Sequence, residues 1–282
     1  MNKLFSLSLT VLFLQSCSPD HFHDDKVLGG KIVYKKELNE GHKVYQAKCL
    51  SCHGVNGDGT GITYRALYTK PRNLTQGIYK FGLSLDGGLP TDEDFAYILN
   101  HGLTGTAMLP WGLSPQEVNA VTQYIKTFAP QVWEGDNYKS PERPRFSKDP
   151  YKFAYEPEAI KKGAIIYHQK AQCFTCHKAY LPVDQLRTLL EDPSLSESSD
   201  AYSIKPQVTS YFTGKNQDIL LESNPVDFKK TNVRSAHDVE SIYKRIYVGV
   251  NGTAMPPWTG TLSDDELWAV AYYVDSLIKE KK

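Results

Sequence analysis

The sequence predicts an all-α protein made of two related domains in tandem, and three observations support this prediction. Apolar residues recur three to four positions apart in the last segment of each half, which is the periodicity of one helix face. Several landmarks occur twice in the same order, which indicates an internal duplication. The alternating pattern of a strand is scarce. A chain of 282 residues is long enough for two small domains.

The last helix of each copy is predicted from a capping box followed by an apolar face. Ser114 with Glu117 in the first copy, and Ser263 with Glu266 in the second, have the spacing in which two side chains cap the start of a helix. The apolar faces after these boxes are Val118, Val121 and Ile125 in the first copy and Leu267, Val270 and Val274 in the second. Each copy therefore ends in an amphipathic helix.

Further landmarks extend the duplication toward the start of each copy. They are a Gly-x-x-x-Tyr segment (Gly41 and Tyr45; Gly163 and Tyr167) and a weaker cap for a penultimate helix (Thr91 with Asp94; Ser235 with Asp238). The predicted order in each copy is helix, cysteine motif, irregular loop, short helix, methionine loop and terminal helix.

The strongest chemical signal is a motif that occurs once in each copy. Cys49-Leu50-Ser51-Cys52-His53 and Cys173-Phe174-Thr175-Cys176-His177 both have the pattern Cys-x-x-Cys-His, the attachment signature of c-type haem. In this signature, the two cysteines form thioethers with the vinyl groups of the macrocycle, and the histidine supplies a nitrogen to the iron. Four of the five cysteines lie in these motifs. A zinc site built from the two cysteine pairs is the alternative, but zinc spacing does not require a histidine after each pair.

Two methionines occupy equivalent places in the repeat. Met108 and Met255 both follow Gly-Thr-Ala and lie shortly before a Pro-Trp pair, in a loop rather than on an apolar helix face. Methionine usually fills gaps in cores, but a thioether sulfur is also a fitting sixth ligand for haem iron and raises its reduction potential. The remaining histidines His42, His101, His168 and His237 have no equivalents in the other copy and are interpreted as surface or satisfied core residues. Of these, His101 is the strongest rival ligand.

With these motifs, each half resembles a class I cytochrome c domain, in which an N-terminal helix leads into Cys-x-x-Cys-His and a C-terminal helix packs across it. The resemblance covers about residues 31–134 and 158–282, and the whole chain resembles membrane-attached dihaem cytochromes c. It implies two covalently bound haem c groups. Their attachment sites would be Cys49, Cys52, Cys173 and Cys176, and their axial ligands His53 with Met108 and His177 with Met255.

Three further residues are candidates for the haem pockets. Trp111 and Trp258 follow the two methionines and are expected near the haem edges, with ordinary core packing as the alternative. Pro71-Arg72 resembles the proline-bearing loop of class I domains, so Arg72 is a candidate partner of a haem propionate. Val226 occupies the matching place in the second copy, which implies different propionate environments for the two haems.

The N-terminus predicts export and lipid anchoring. A short apolar run follows Lys3 and ends in Leu14-Gln15-Ser16-Cys17, which resembles the bacterial lipobox. We therefore predict a signal peptide at residues 1–16, lipidation of Cys17, and a flexible tether at 17–30. An ordinary cleaved signal is the alternative. The implied location is the periplasmic side of a membrane in a Gram-negative-type bacterium, with the choice between inner and outer membrane open.

The segments between and within the repeats are predicted to be irregular. Residues 135–157 carry prolines and many charges and are predicted to be a semi-rigid linker. The second copy is longer than the first between its motif and its methionine, and the additional residues fall within 181–224. This insertion could cover the second haem, form a partner surface, or be passive.

The predicted function is transfer of single electrons between respiratory-chain partner proteins at the membrane, without enzymatic activity. The 32 basic and 32 acidic residues are balanced, so nothing in the charge favours nucleic acid as a partner. Two alternatives remain open at this point. One is a haem enzyme of the peroxidase or thiosulfate-oxidising type, and the other is a fixed electron-transfer subunit of an oxidase or dehydrogenase complex.

Overall fold

A computed structural model describes residues 20–85, 87–152, 154–212 and 218–280. Its α-helices are α1 (Lys35–Lys48), α2 (Leu50–His53), α3 (Asp92–His101), α4 (Pro115–Lys126), α5 (Pro130–Trp133), α6 (Glu156–Ile165), α7 (Val183–Leu190), α8 (Val239–Val248) and α9 (Asp264–Lys279). Two antiparallel hairpins are formed by β1 (Lys26–Leu28) with β2 (Lys31–Val33) and β3 (Gln207–Phe212) with β4 (Asp218–Ser223). The predicted signal peptide and Cys17 lie outside the described residues.

The predicted all-α fold of two tandem domains is confirmed, and each domain is built on one helix crossing. α1 packs on α4 in the first domain, and α6 packs on α9 in the second. Gly41 lies at the first crossing and Gly163 at the second. A Cβ atom added to either glycine would overlap a backbone carbonyl of the opposing helix, that of Ala120 or Ala269. Glycine is required at both positions because the backbones of the two crossing helices are in contact there.

The predicted apolar faces form the cores of the two domains. Val118, Val121 and Ile125 are buried in the first core, and Leu267, Val270 and Val274 are buried in the second. The second core also contains Tyr243, whose ring stacks on Trp268 at a centroid distance of 4.1 Å. Fully burying one valine, leucine or isoleucine side chain contributes roughly 1.5–3 kcal/mol to the free energy of folding. The terminal helices are thus fixed mainly by burial.

The helix caps agree with the prediction in three of the four places. Full capping boxes begin α3 at Thr91, α4 at Ser114 and α9 at Ser263. The predicted cap at Ser235 is wrong, because α8 begins after Asp238. The Asp238 carboxylate accepts a hydrogen bond of 2.7 Å from the backbone N–H of Ser241, so the acidic residue serves as the cap and not as the third helical residue.

The predicted tether at 17–30 is wrong for the described residues 20–30, which pack on the first domain. Leu28 is fully buried, and the backbone N–H of Gly29 donates to the carbonyl of Trp133. The backbone N–H groups of His21 and Phe22 both donate to the Asn39 side chain on α1. The segment is held on the domain because Leu28 is buried and because several of its backbone N–H groups find hydrogen-bond acceptors there.

The segment 135–157 runs along the surface from one domain to the other. The carbonyl of Glu142 accepts from the backbone of Leu85, and Arg143 forms a 2.8 Å ion pair with the buried Asp94. Farther on, Ser147 is hydrogen-bonded to Tyr243, and Asp149 accepts a 2.7 Å bond from the Tyr272 hydroxyl. Its first half is thus attached to the first domain and its second half to the second.

The insertion in the second domain packs beside the cysteine motif. Leu186 on α7 is fully buried in a small core with Ala179 and Ala201. The chain then returns to the motif, where the backbone N–H of Lys205 donates to the carbonyl of Cys176 at 3.1 Å. In the first domain Gly61 makes the same bond to Cys52. The extra residues thus replace a short loop, but the hydrogen bond to the carbonyl of the second motif cysteine is the same in both domains.

Among the described residues, no helix is both long enough and apolar enough to cross a membrane.

Candidate functional sites

One cavity of the first domain gathers all four predicted haem-binding residues. Cys49, Cys52 and His53 line one part of it, and Met108 lines it from the loop after α3. The other walls are largely apolar: Leu67, Leu74, Tyr79, Phe81, Phe95, Ile98, Leu99, Leu103, Trp111 and Ile125. The cavity thus has thiols, an imidazole and a thioether within largely apolar walls.

The His53 ring is oriented by a backbone carbonyl. Its Nδ1 lies 3.1 Å from the carbonyl oxygen of Arg72. A carbonyl only accepts hydrogen bonds, so Nδ1 carries the proton and Nε2 keeps its lone pair. Burial lowers the pKa of His53, which favours the neutral ring that a metal ligand requires.

The second domain repeats this arrangement around His177. Its Nδ1 lies 3.0 Å from the carbonyl oxygen of Val226, and burial lowers its pKa. The ring also stacks on Phe228 at a centroid distance of 4.8 Å. Val226 matches Arg72 in the repeat, so the two unlike side chains share one role through their carbonyls. A comparison of the two side chains does not reveal that both carbonyls orient a histidine. The only shared sequence signal is the proline before each residue, Pro71 and Pro225.

The four cysteines of the two motifs are free thiols. Burial raises the pKa of Cys49 to about 11 and that of Cys173 to about 12, so both are protonated at neutral pH. Within the described part of the chain, no three His, Cys, Asp or Glu side chains come close enough to hold a metal ion. The alternative of a zinc site built from the two pairs is therefore not supported.

A buried tyrosine anchors the chain just after each motif. The Tyr45 hydroxyl donates to the carbonyl of Gly54 at 2.7 Å, and the Tyr167 hydroxyl donates to that of Lys178 at 2.9 Å. Each carbonyl belongs to the residue after the motif histidine. The tyrosine of the repeated Gly-x-x-x-Tyr segment thus holds the end of the motif against the N-terminal helix.

The two methionine loops have the same backbone geometry. In each loop the backbone N–H of the methionine donates to the hydroxyl of Thr106 or Thr253, at 3.1 and 3.2 Å. Gly102 and Gly249 begin the loops with φ angles of 66° and 73°. A side chain at either glycine would collide with the methionine carbonyl. Both loops therefore share the same backbone constraints.

The remaining histidines are satisfied by other partners. His168 is fully buried, with Nδ1 2.7 Å from the carbonyl of Ala164 and Nε2 accepting from the backbone of Tyr180. His101 is exposed and stacks on Tyr97 at 4.2 Å. His42 stacks on His21 at 4.1 Å, and His237 lies 3.2 Å from the Thr104 hydroxyl. The interpretation as surface or satisfied core residues agrees with these contacts.

Two of the three predicted pocket residues line the first cavity, and Trp258 shows the core packing that was its alternative. Trp111 and Arg72 line the first cavity, and Trp258 packs at the edge of the second core together with Met255. Lys80, which the sequence did not single out, also lines the first cavity. Burial, and to a smaller extent the nearby Arg72 and Arg234, lower the pKa of Lys80 to about 8.

Both methionine loops lie at the boundary between the domains. In the first loop, the backbone N–H of Thr104 donates to the carbonyl of Arg234 at 3.1 Å. In the second, the Asn251 side chain donates to the carbonyl of Gly87 at 3.0 Å. Each methionine loop therefore contacts the other domain.

A buried arginine joins these two regions. Arg245 on α8 is 8% exposed and donates to the carbonyls of Phe81 and Gly82, at 2.9 and 3.0 Å, and to that of Gly249 at 3.2 Å. Burial lowers its pKa to about 10. Phe81 and Gly82 line the first cavity, whereas Gly249 begins the second methionine loop. The guanidinium thus connects the wall of the first cavity to the start of the second methionine loop.

The residues present fit a covalently attached haem c. The first cavity supplies two thiols for the vinyl groups, a neutral imidazole with a free Nε2, a thioether, apolar walls for the macrocycle, and cations for its propionates. Bound there, a haem supplies reversible one-electron chemistry at its iron. The protein would supply the thiols for attachment, the orientation of the ligands and the apolar walls around the macrocycle.

Comparisons with known proteins agree with this description. Residues 38–129 match the family model of cytochrome c, and residues 158–274 match that of cytochrome c oxidase, cbb3-type, subunit III. A chain of the reducing HAO-like protein complex of Kuenenia stuttgartiensis is similar at 30% sequence identity and a TM-score of 0.63. The match covers 85% of this chain and 96% of that one. No curated protein matches the chain.

The fold and the two sites thus define an electron-transfer protein of the c type. The chain belongs to the cytochrome c family, with one cytochrome c domain in each half.

Proposed function

We propose that the protein holds two covalently bound haem c groups and passes single electrons between redox partner proteins. One observation supports this most directly. In each domain the motif histidine has its Nδ1 within hydrogen-bond distance of a backbone carbonyl, so both rings are oriented in the same way. Cys49, Cys52, Cys173 and Cys176 attach the haems. His53 and Met108 are the axial ligands of the first iron, and His177 and Met255 those of the second.

The ligand geometry suits electron relay because little has to move. The Arg72 and Val226 carbonyls fix the histidine rings, and the threonine hydroxyls fix the methionine loops. Ligands held in this way keep their positions in both oxidation states, so the surrounding protein need not reorganise. Two protein ligands on each iron leave no position for a substrate, which favours a carrier over an enzyme.

The domain boundary provides a route between the two sites. Arg245 connects Phe81 beside the first cavity with Gly249 at the start of the second methionine loop. The guanidinium is buried, and its two hydrogen bonds to the carbonyls of the first domain stabilise one relative orientation of the domains. A fixed orientation of the two domains would suit passage of electrons from one haem to the other within the same molecule.

Carbon monoxide binding tests the carrier function against an enzyme with an open iron. We expect the visible spectrum of the reduced, haem-loaded protein to remain unchanged on titration with carbon monoxide, because methionine and histidine occupy both axial positions. Stopped-flow absorbance is the measurement. Rapid binding at one haem would contradict the carrier function and favour a haem enzyme. Met108→Ala serves as the positive control, because it should open the first iron to the gas.

A fixed subunit of a larger complex is the second candidate. Two observations favour it: the similar chain from Kuenenia stuttgartiensis belongs to a protein complex, and the second domain matches a family of oxidase subunits. Purification from its native membranes in mild detergent separates the two functions. A stoichiometric partner that stays bound through gel filtration would favour the subunit, whereas isolation as a single chain would favour the shuttle.

We also propose that the mature protein is anchored on the periplasmic side of a membrane by lipid on Cys17. Cys17→Ala is expected to move most of the protein from the membrane to the soluble fraction, because stable anchoring requires more than one acyl chain and the thioether-linked lipid would be lost. Fractionation followed by haem staining measures this. The matched control is Ser18→Ala, which retains the cysteine. A Cys17→Ala protein that stays with the membrane after carbonate washing would contradict lipidation.

A further inference from the structure

We propose that Arg234 of the second domain is a haem-binding residue of the first site, where it binds a haem propionate. This inference rests on the proposed attachment of haem in the first domain. Among the described residues, Arg234 lines the same cavity as Cys49, His53 and Met108, and the other lining residues all belong to the first domain. The second domain thus completes a site that the first domain leaves without this cation.

The first domain holds Arg234 at both its backbone and its side chain. Its carbonyl accepts a 3.1 Å hydrogen bond from the backbone N–H of Thr104, in the loop that carries Met108. Its guanidinium Nη2 lies 3.4 Å from the hydroxyl of Thr69, another residue that lines the cavity. These two contacts hold the exposed Arg234 side chain at the edge of the cavity.

The charges around this position favour an anion. Lys80 also lines the cavity, and its ammonium group is close enough to Arg72 and Arg234 for both to lower its pKa. Three cationic side chains line one largely apolar pocket. Binding of a carboxylate beside them would be favourable, because its charge is opposite to theirs. A haem seated between His53 and Met108 carries two carboxylates, and arginine binds a carboxylate through two parallel N–H donors.

The site therefore has a consequence for the electron relay. A cation beside a haem favours the ferrous over the ferric state, because reduction removes one positive charge from the iron. The reduction potential of the first haem would then depend on contact with the second domain. A change in domain orientation would lower this potential by withdrawing Arg234, so the two domains would not be independent electron carriers.

Spectroelectrochemical titration of the full-length, haem-loaded protein tests this role. We expect Arg234→Gln to shift the ferric–ferrous equilibrium of the first haem toward the ferric form by about tenfold, equivalent to about 59 mV for one electron. Arg234→Lys retains the charge and should restore most of the potential. Arg187→Gln is the matched control, because that arginine also belongs to the second domain but donates to the carbonyl of Leu195, outside the cavity.

Met108→Ala identifies which component of the titration belongs to the first haem. If Met108→Ala displaces one component and Arg234→Gln lowers the same component, the proposal is supported. If Met108→Ala displaces one component and Arg234→Gln leaves it unchanged, or Arg234→Lys fails to restore it, the role of Arg234 is refuted. A Met108→Ala protein in which neither component moves would instead refute the ligand assignment of the proposed function.

Discussion

Replacement of Met108 or Met255 with alanine is expected to lower the midpoint potential of one haem while that haem stays covalently attached. The thioether stabilises the ferrous iron, and its loss leaves the position to water or to no ligand. We expect a decrease on the order of 0.2 V, a fraction of the roughly 0.8 V that axial ligands span. Optical redox titration measures the potential, and haem staining of a denaturing gel shows that the thioethers are intact.

The two methionine variants should affect different components of the titration, because each methionine belongs to its own domain. Leu109→Ala is the control, since Leu109 lies in the same loop with 60% of its surface exposed and supplies no ligand atom. Unchanged potentials in Met108→Ala would exclude Met108 as a ligand. A change in both components with either variant would show that the methionine loops act on the two haems together through the domain boundary.

Local patterns in the sequence were sufficient to predict most of the fold. The capping boxes at Ser114 and Ser263 and the apolar faces that follow them are determined within one helix, so their prediction was confirmed. The segment 20–30 was predicted wrongly because its structure depends on distant partners, Asn39 and Trp133. Nothing in its own composition indicates that Leu28 enters the core.

The candidate sites show the same division between local and long-range information. The motifs indicate His53 and His177 directly, because haem attachment requires fixed spacing. The carbonyls that orient these rings are invisible in side-chain patterns, since Arg72 and Val226 have nothing in common except their position after a proline. Arg234 was not predicted because its approach to the first cavity is a result of how the two domains pack.

The glycines at the helix crossings provide a test in which two physical effects have opposite signs. In an isolated helix, Gly→Ala stabilises by about 1 kcal/mol, because glycine loses more backbone entropy on folding. At Gly41 and Gly163 the added methyl group would instead overlap the carbonyl of Ala120 or Ala269. Overpacking of a core costs typically about 1–3 kcal/mol, and an overlap with rigid backbone lies at the upper end of this range.

We therefore expect Gly41→Ala to lower the free energy of unfolding of the haem-loaded protein by about 2 kcal/mol, and Gly163→Ala to do the same in the second domain. Guanidinium titration monitored by far-ultraviolet circular dichroism measures the change. Gln46→Ala is the control, because Gln46 is exposed on the same helix as Gly41 and its replacement should alter the stability by no more than about 0.5 kcal/mol. A Gly41→Ala protein that is more stable than the parent would mean that the crossing has space for a side chain, and that helix propensity rather than close backbone contact decides the residue at this position.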